Sequence, residues 1–286
     1  MKFRPRLQFS DGHRGNENNG FLGSAKLGIS RPRVVRPLCG IGIAAVALLS
    51  TACAAHIVNP KAEDVVSMVP WRAPESHTYR LESDGDKKGD AVLSIEMEGD
   101  HLVLRQRFSD DKGNVDESTA DVDPSTLKPL SSRRDVLDKE NNTRAVAEAE
   151  YQTPAKDCDA NIVVQIKQTN FKPPDEATPD SERSSPRCVP EHAYDNDASL
   201  FLWRTIKFEK GYTVTYRTII ADVGKEQGLT LMVKDRTTID TDAGKMDAWL
   251  VDIKADANTQ QAWFATTDDH RLLRYNNGSL VFVLTE

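Results

Sequence analysis

The chain has 286 residues, with 37 Lys and Arg against 44 Asp and Glu, a net charge of −7. An acid excess of this kind argues against nucleic-acid binding, which needs basic surface to neutralise phosphates. It argues equally against electrostatic docking on anionic lipid.

Residues 1–30 are polar and Gly/Asn-rich, as in Asn16-Glu17-Asn18-Asn19-Gly20, and show no apolar period, so they read as disordered. A translation start near Leu27 or Val34 accounts for them better than an unusually long leader. Arg31-Pro32-Arg33-Val34-Val35-Arg36 is then a basic segment, followed by an uncharged stretch from Leu38 to Ala52 and by Cys53. Basic region, apolar region and small-residue cleavage site are the layout of a bacterial secretion signal.

Three outcomes remain open for it. With Cys53 directly after Ala52, the segment resembles the lipobox of bacterial lipoproteins, which are cut before a Cys that then carries acyl chains. Ala52-Cys53-Ala54 is also an A-x-A site, which would release a soluble protein. The last is an uncleaved membrane helix, for which Leu38 to Ala55 falls slightly short of the ~20 apolar residues a span needs. Lipidation of Cys53 is favoured, although Leu49 stands four residues before the Cys and Ser50 takes the commoner Leu position.

Cleavage before Cys53 leaves 234 residues. Residues 1–52 hold 8 of the 37 basic and 2 of the 44 acidic residues, so the remainder carries −13. Of its cysteines, Cys158 and Cys188 are expected to pair, because an exported domain lives in an oxidising compartment. A bridge closing that loop is worth about 3–4 kcal/mol in the chain-entropy model. Two free buried thiols are the alternative.

Residues 53–76 read as a tether, with Pro60, Pro70 and Pro74 and no sustained period. From 77 onward period-2 alternation predicts strands at His77–Leu81, Ala91–Met97, His101–Phe108 and Val115–Val122. Their turns are Asp84-Gly85-Asp86 and Glu98-Gly99-Asp100, the pattern of an antiparallel meander. Arg144–Tyr151 is read as a strand rather than a short helix. Between Pro154 and Pro190 six prolines exclude a central strand or a long helix. That stretch is expected to be a disulfide-bracketed loop at 154–190, broken by a strand at Ile162–Ile166.

Asp197 to Ile206 is the one convincing helix, with Asp197 as N-cap, short and apolar enough to plug a sheet's concave face. Alternation returns in Val214–Ile220, Leu229–Val233 and Trp249–Ile253, and the chain closes on Leu280–Leu284, buried on both faces. The fold class is therefore mainly β: a curved antiparallel sheet or partly open β-barrel or sandwich with one short helix, in a single domain over 77–286.

In this half Tyr194-Asp195, Leu200-Phe201-Leu202 with Arg204, and Gly211-Tyr212 are followed by Thr241-Asp242-Ala243-Gly244. Trp263-Phe264 and Asp268-Asp269-His270-Arg271 come next. In that order they resemble a family of exported bacterial β-proteins known as domain of unknown function 3108. Tyr79-Arg80-Leu81 through Gly85 and Gly89 match its first strand pair more loosely. The resemblance covers roughly 77–284. It implies a curved periplasmic sheet, and brings no catalytic residues with it.

No nucleophile elbow, zinc-protease motif, C-x-x-C, phosphate loop or dinucleotide fingerprint occurs. Asp84-Gly85-Asp86 and Asp240-Thr241-Asp242 fail as calcium loops, since their twelfth positions are Ile95 and Val251 where a bidentate Glu is needed. No metal, cofactor or catalytic residue is expected. Trp203, Trp249 and Trp263 are candidates for lining a ligand cavity, against core packing as the plainer role. The leading functional reading is a non-enzymatic envelope lipoprotein, periplasmic and bound to a membrane (the outer one, in a host that has one) through its N-terminal lipid. It would bind an apolar ligand, with the Leu200–Ile206 helix as lid, or an envelope protein. The rival is an envelope hydrolase using an acid–His pair, with His270 beside Asp268 and Asp269 or His192 beside Glu191 and Asp195.

Overall fold

The computed structural model describes residues 65–152, 158, 161–175, 177–255 and 258–285. The signal region, Cys53 and most of the expected tether lie outside the described residues.

Fifteen strands follow one another: β1 (Glu75–Ser83), β2 (Asp86–Glu98), β3 (His101–Asp110), β4 (Val115–Val122), β5 (Pro129–Asp138), β6 (Thr143–Gln152), β7 (Asn161–Phe171), β8 (Ser181–Pro190), β9 (Tyr194–Asp195), β10 (Thr213–Ile220), β11 (Lys225–Thr241), β12 (Gly244–Ala255), β13 (Asn258–Ala265), β14 (Leu272–Asn276) and β15 (Val281–Leu284). They form one open sheet in the order β8 to β1, then β15 down to β9. Neighbours are antiparallel throughout, except that β9 pairs in parallel with β10. The terminal strands β1 and β15 join the two meanders at its centre, Tyr79 opposite Leu284 and Leu81 opposite Phe282. Such non-local pairing fixes β15 between two partners, and Phe282, Val283 and Leu284 are buried on both its faces.

Local chemistry explains the turns. Asp84 and Gly85 both take positive φ, 55° and 84°, as a two-residue hairpin loop requires. Gly89 is needed for another reason: a Cβ there would stand 2.0 Å from the Ser109 carbonyl oxygen on β3. Beyond β9 the chain makes a 3-10 turn (Asn196–Ala198), helix α1 (Ser199–Leu202) and a second 3-10 turn (Trp203–Thr205). Its cap is Asp195 rather than Asp197. Asp195 is extended and its side chain accepts from the Asp197 N–H, whereas Asp197 already lies within the turn.

Leu200, Phe201, Leu202 and Trp203 are each no more than 2% exposed and sit in the main core with the inner faces of β1–β3 and β10–β15. The helix is a plug.

The expected loop at 154–190 instead holds two long strands, β7 and β8. The prolines are compatible with this because β8 is an edge strand, where a residue without N–H is tolerated. Cys158 and Cys188 are joined with their Cα atoms 5.8 Å apart, which ties β8 to the β6–β7 connection. Replacing Cys188 with Ser should lower the unfolding free energy by about 2–4 kcal/mol. Denaturant titration of oxidised protein checks this, and an unchanged midpoint would show that the bridge contributes nothing.

The expected tether is also shorter than 53–76. Val65 and Trp71 are buried, and the Ser67 and Met68 N–H groups donate to the Thr205 carbonyl at 2.8 and 3.2 Å. Residues 65–74 thus form a strap across one end of the sheet. Arg204 fixes it, bonding Glu75 at 2.5 Å and the Asp269 carbonyl at 2.8 Å while its guanidinium lies 5.0 Å from the Trp71 ring. Burial raises the Glu75 pKa, but His77 and Arg204 beside it bring the net value down to about 2. The turns at 111–114, 139–142 and 221–224, with residues 172–175 and 177–180, lie at the opposite end, as the alternation of strand direction requires.

Candidate functional site, a polar cavity at the open end

Along β5 and β6 the inward positions carry Ser132, Arg134, Ala145, Ala147 and Ala149, small or polar like Asp116 and Ser118 on β4, where β12 carries Val251 and Ile253. Small side chains leave space. A cavity of about 350 Å³ opens there, walled by β4–β7 and by Asp222 in the β10–β11 turn. That volume is within the range of small-ligand sites.

Its floor is a buried ion pair. Arg134, 5% exposed, donates through Nε and Nη2 to the two carboxylate oxygens of Asp116, 1% exposed, at 2.8 and 2.6 Å. Its Nη1 lies 3.6 Å from Asp197 Oδ1. Behind it, Gln106 donates to the Asp197 carbonyl, and Asp195 accepts from Tyr151 Oη at 2.6 Å.

Burial would lower the Arg134 pKa, yet the charges of Asp116 and Asp197 more than offset it and the guanidinium stays charged. Burial pushes Asp197 well up, and Arg134 offsets this only in part because Asp195, Asp116 and Asp222 add repulsion. The unfolded chain releases the Asp197 proton near pH 3.8 while the folded chain keeps it, so its contribution to stability falls as pH rises above about 4. Asp197→Asn should therefore show a flatter decline of stability between pH 4 and 8 than the wild type. Equal slopes in denaturant unfolding across that range would refute this.

The sheet does not close beside the cavity. Its edges, β8 and β9, share no backbone ladder. Side chains bridge the gap instead: Val189, Ala193, Ile219 and Ala221 form a second apolar cluster with Ala147 and Ala149. Gln168 Nε2 donates to the Ala221 carbonyl at 2.9 Å. The outer face of β3–β7 is a ladder of exposed ion pairs, such as Arg105–Glu98, Arg107–Glu117 and Arg133–Glu148, each worth little in water.

None of the tryptophans singled out in the sequence lines this cavity. Trp203 is fully buried and donates to Tyr216 Oη at 2.7 Å. Trp249 packs under Arg236, and Trp263 lies beside Arg274 on another row of the sheet. The acid–His groups are elsewhere too. His270 turns Nδ1 toward the Ala265 carbonyl at 3.2 Å and its ring against Phe208. Glu191 faces Lys128, while Asp195 is held inside by Tyr151. Neither imidazole lines the cavity, so the geometry gives the hydrolase reading no support. Among the described residues no group of three or more His, Cys, Asp and Glu could hold a metal. Nor is any described helix long and apolar enough to cross a membrane.

A meandering antiparallel sheet, coiled but unclosed and plugged by one helical turn, places the molecule among barrel-like β-proteins. The chain belongs to the family described as "Protein of unknown function (DUF3108)", whose model matches residues 78–283. Two solved structures are similar at low identity. One is a beta-barrel-like protein of domain of unknown function DUF1849 from Brucella abortus, 12% identical over 77% of this chain and 98% of that one, with a TM-score of 0.39. The other, a candidate exported protein with a YmcC-like fold from Bacteroides fragilis, is 10% identical over 77% and 97%, with a TM-score of 0.26. No curated protein matches the chain.

Proposed function

We propose that the protein is a non-enzymatic binding module of the cell envelope, anchored by lipid on Cys53, that takes a small polar ligand in the cavity above Arg134 and Asp116. The cavity carries this reading: the inward faces of β5 and β6 exchange core side chains for alanines and buried polar groups at one end of the sheet. The leader pattern and the joined cysteines support an extracytoplasmic location. An acyl chain is the poorer ligand, because α1 fills the apolar interior and the open cavity sets Asp116, Arg134, Asp138, Asn170 and Asp222 among its apolar side chains.

Filling the cavity tests the reading. Ala145→Trp places an indole at the exposed position of β6 that lines the cavity. In a thermal-shift screen of small polar metabolites, at least one compound should stabilise the wild type, and that shift should vanish in the variant. A shift that survives the indole, or a screen with none, would overturn the proposal.

A further inference from the structure

Strand β8 borders the unclosed side of the sheet, and opposite Val164, Ile166 and Gln168 of β7 it carries Arg187, Ser185 and Arg183. Val164 and Ile166 are buried in the second apolar cluster, so this row of β8 faces inward, toward the seam with the β10–β11 turn. Gln168 lines the cavity, which makes Arg183, its cross-strand partner, part of the cavity's lip. Arg187 reaches the same place. A Cβ on Gly224, in the β10–β11 turn, would stand 3.8 Å from Gln168 Nε2 and 3.9 Å from Arg187 Nη2. The Arg187 guanidinium thus spans the seam and stands beside the residue that Arg183 opposes.

Neither guanidinium is spent on the protein. Arg183 and Arg187 are exposed and, among the described residues, they bond no carboxylate and lie over no aromatic ring. Apart from Arg72, every other described arginine meets an acid or a tryptophan, as Arg133 meets Glu148, Arg217 meets Glu226 and Arg236 lies over Trp249. In a chain of net charge −7 carboxylates are not scarce, yet these two cations share one row and one lip without any. The acids of the cavity wall are engaged elsewhere. Asp116 gives its oxygens to Arg134, Asp138 to Asn141, and Asp222 is likewise held within the protein.

Resting on the reading of this cavity as a binding site, we infer that its ligand is a small soluble phosphorylated compound. Arg183 and Arg187 bind the phosphate at the lip, and the rest of the molecule occupies the cavity. Guanidinium forks match the oxygens of a phosphate in pairs. Two of them bring two positive charges, close to what a phosphate monoester carries at neutral pH, where a carboxylate brings one negative charge. Gln168 Nε2 gives one N–H to the Ala221 carbonyl, and its other is a neutral donor beside the two cations.

Calorimetric titration of the full chain with inorganic phosphate tests the inference, at constant ionic strength because salt screens exposed charges. The wild type should bind phosphate. Arg183→Gln combined with Arg187→Gln should weaken that binding by at least about tenfold, the loss expected for charge-assisted hydrogen bonds. The melting temperature should not change, since neither side chain has a partner to lose. No heat with phosphate, or equal affinity in the double variant, would overturn the inference. The cavity reading fails separately. A compound whose stabilising shift vanishes in Ala145→Trp but persists undiminished in the arginine variant would keep the cavity and remove the phosphate. Phosphate held by the arginines, with no compound sensitive to Ala145→Trp, would leave an anion site and overturn the cavity reading. A lipid headgroup is the other source of phosphate. Sedimentation with phosphatidylcholine vesicles, with and without phosphatidylglycerol, should not separate wild type from double variant. A preference for phosphatidylglycerol that the substitutions abolish would make the ligand a lipid and overturn a soluble one.

Discussion

Asp116→Ala should destabilise the protein by about 3–5 kcal/mol, one of the two largest effects expected of a single substitution here. The reason is what it leaves behind. Arg134 is 5% exposed and gives both Nε and Nη2 to Asp116, so removing the carboxylate takes a bidentate charged partner from a guanidinium in the protein interior. Asp197 cannot replace the partner. It is 3.6 Å away, and its burial favours the protonated acid. The paired change Asp116→Leu with Arg134→Met should recover most of the loss, because a buried ion pair and an apolar pair of similar volume are often close in stability. Urea unfolding of the single and double variants measures both terms. A single-variant loss below about 1 kcal/mol would mean that water reaches Arg134 through the cavity and that the pair is not a buried one.

Trp203→Ala should cost about 3–5 kcal/mol by a different route. The indole is fully buried in the plug, packs edge-on against Tyr275 with ring centroids 5.6 Å apart, and donates to Tyr216 Oη. Its removal opens a cavity that the surrounding sheet cannot collapse into, since β10, β11 and β12 are fixed by their ladders. Trp203→Phe keeps most of the ring and loses the N–H, and should cost less than Trp203→Ala. If the two variants unfold at the same denaturant concentration, packing is not what the tryptophan supplies.

These two residues mark the boundary of what could be read from the amino acids alone. Strands whose inner faces are apolar announced themselves: Leu102, Leu104 and Phe108 on β3, or Val251 and Ile253 on β12, give a clean period of two. The strand β5 is not legible, because its inward residues are Ser132, Arg134 and Val136, a mixed row with no apolar alternation. The edge strand β8 was missed for a related reason. Only Val189 on it is buried, so no alternation survives, and its prolines point to a loop.

The residues that carry the family resemblance show the same divide. Arg204, Asp269 and His270 belong to the strapped end, where Arg204 locks β1 to the β13–β14 turn. The cavity draws its walls chiefly from β4–β7, outside the segments that carry that resemblance. A site made by replacing core side chains with alanine leaves little trace in a sequence. A charged residue such as Arg134, standing where an inward apolar one is due, is the signal that could have found it.

The strap gives the molecule a polarity with a practical outcome. The described residues begin at Val65, two positions before the Ser67 N–H that donates to the Thr205 carbonyl, while the cavity is at the far rim. Between Cys53 and Val65 lie residues 54–64, which can reach at most about 40 Å when fully extended. A lipid on Cys53 would therefore hold the strapped end of the body within that reach of the bilayer and leave the distant cavity accessible to the aqueous compartment.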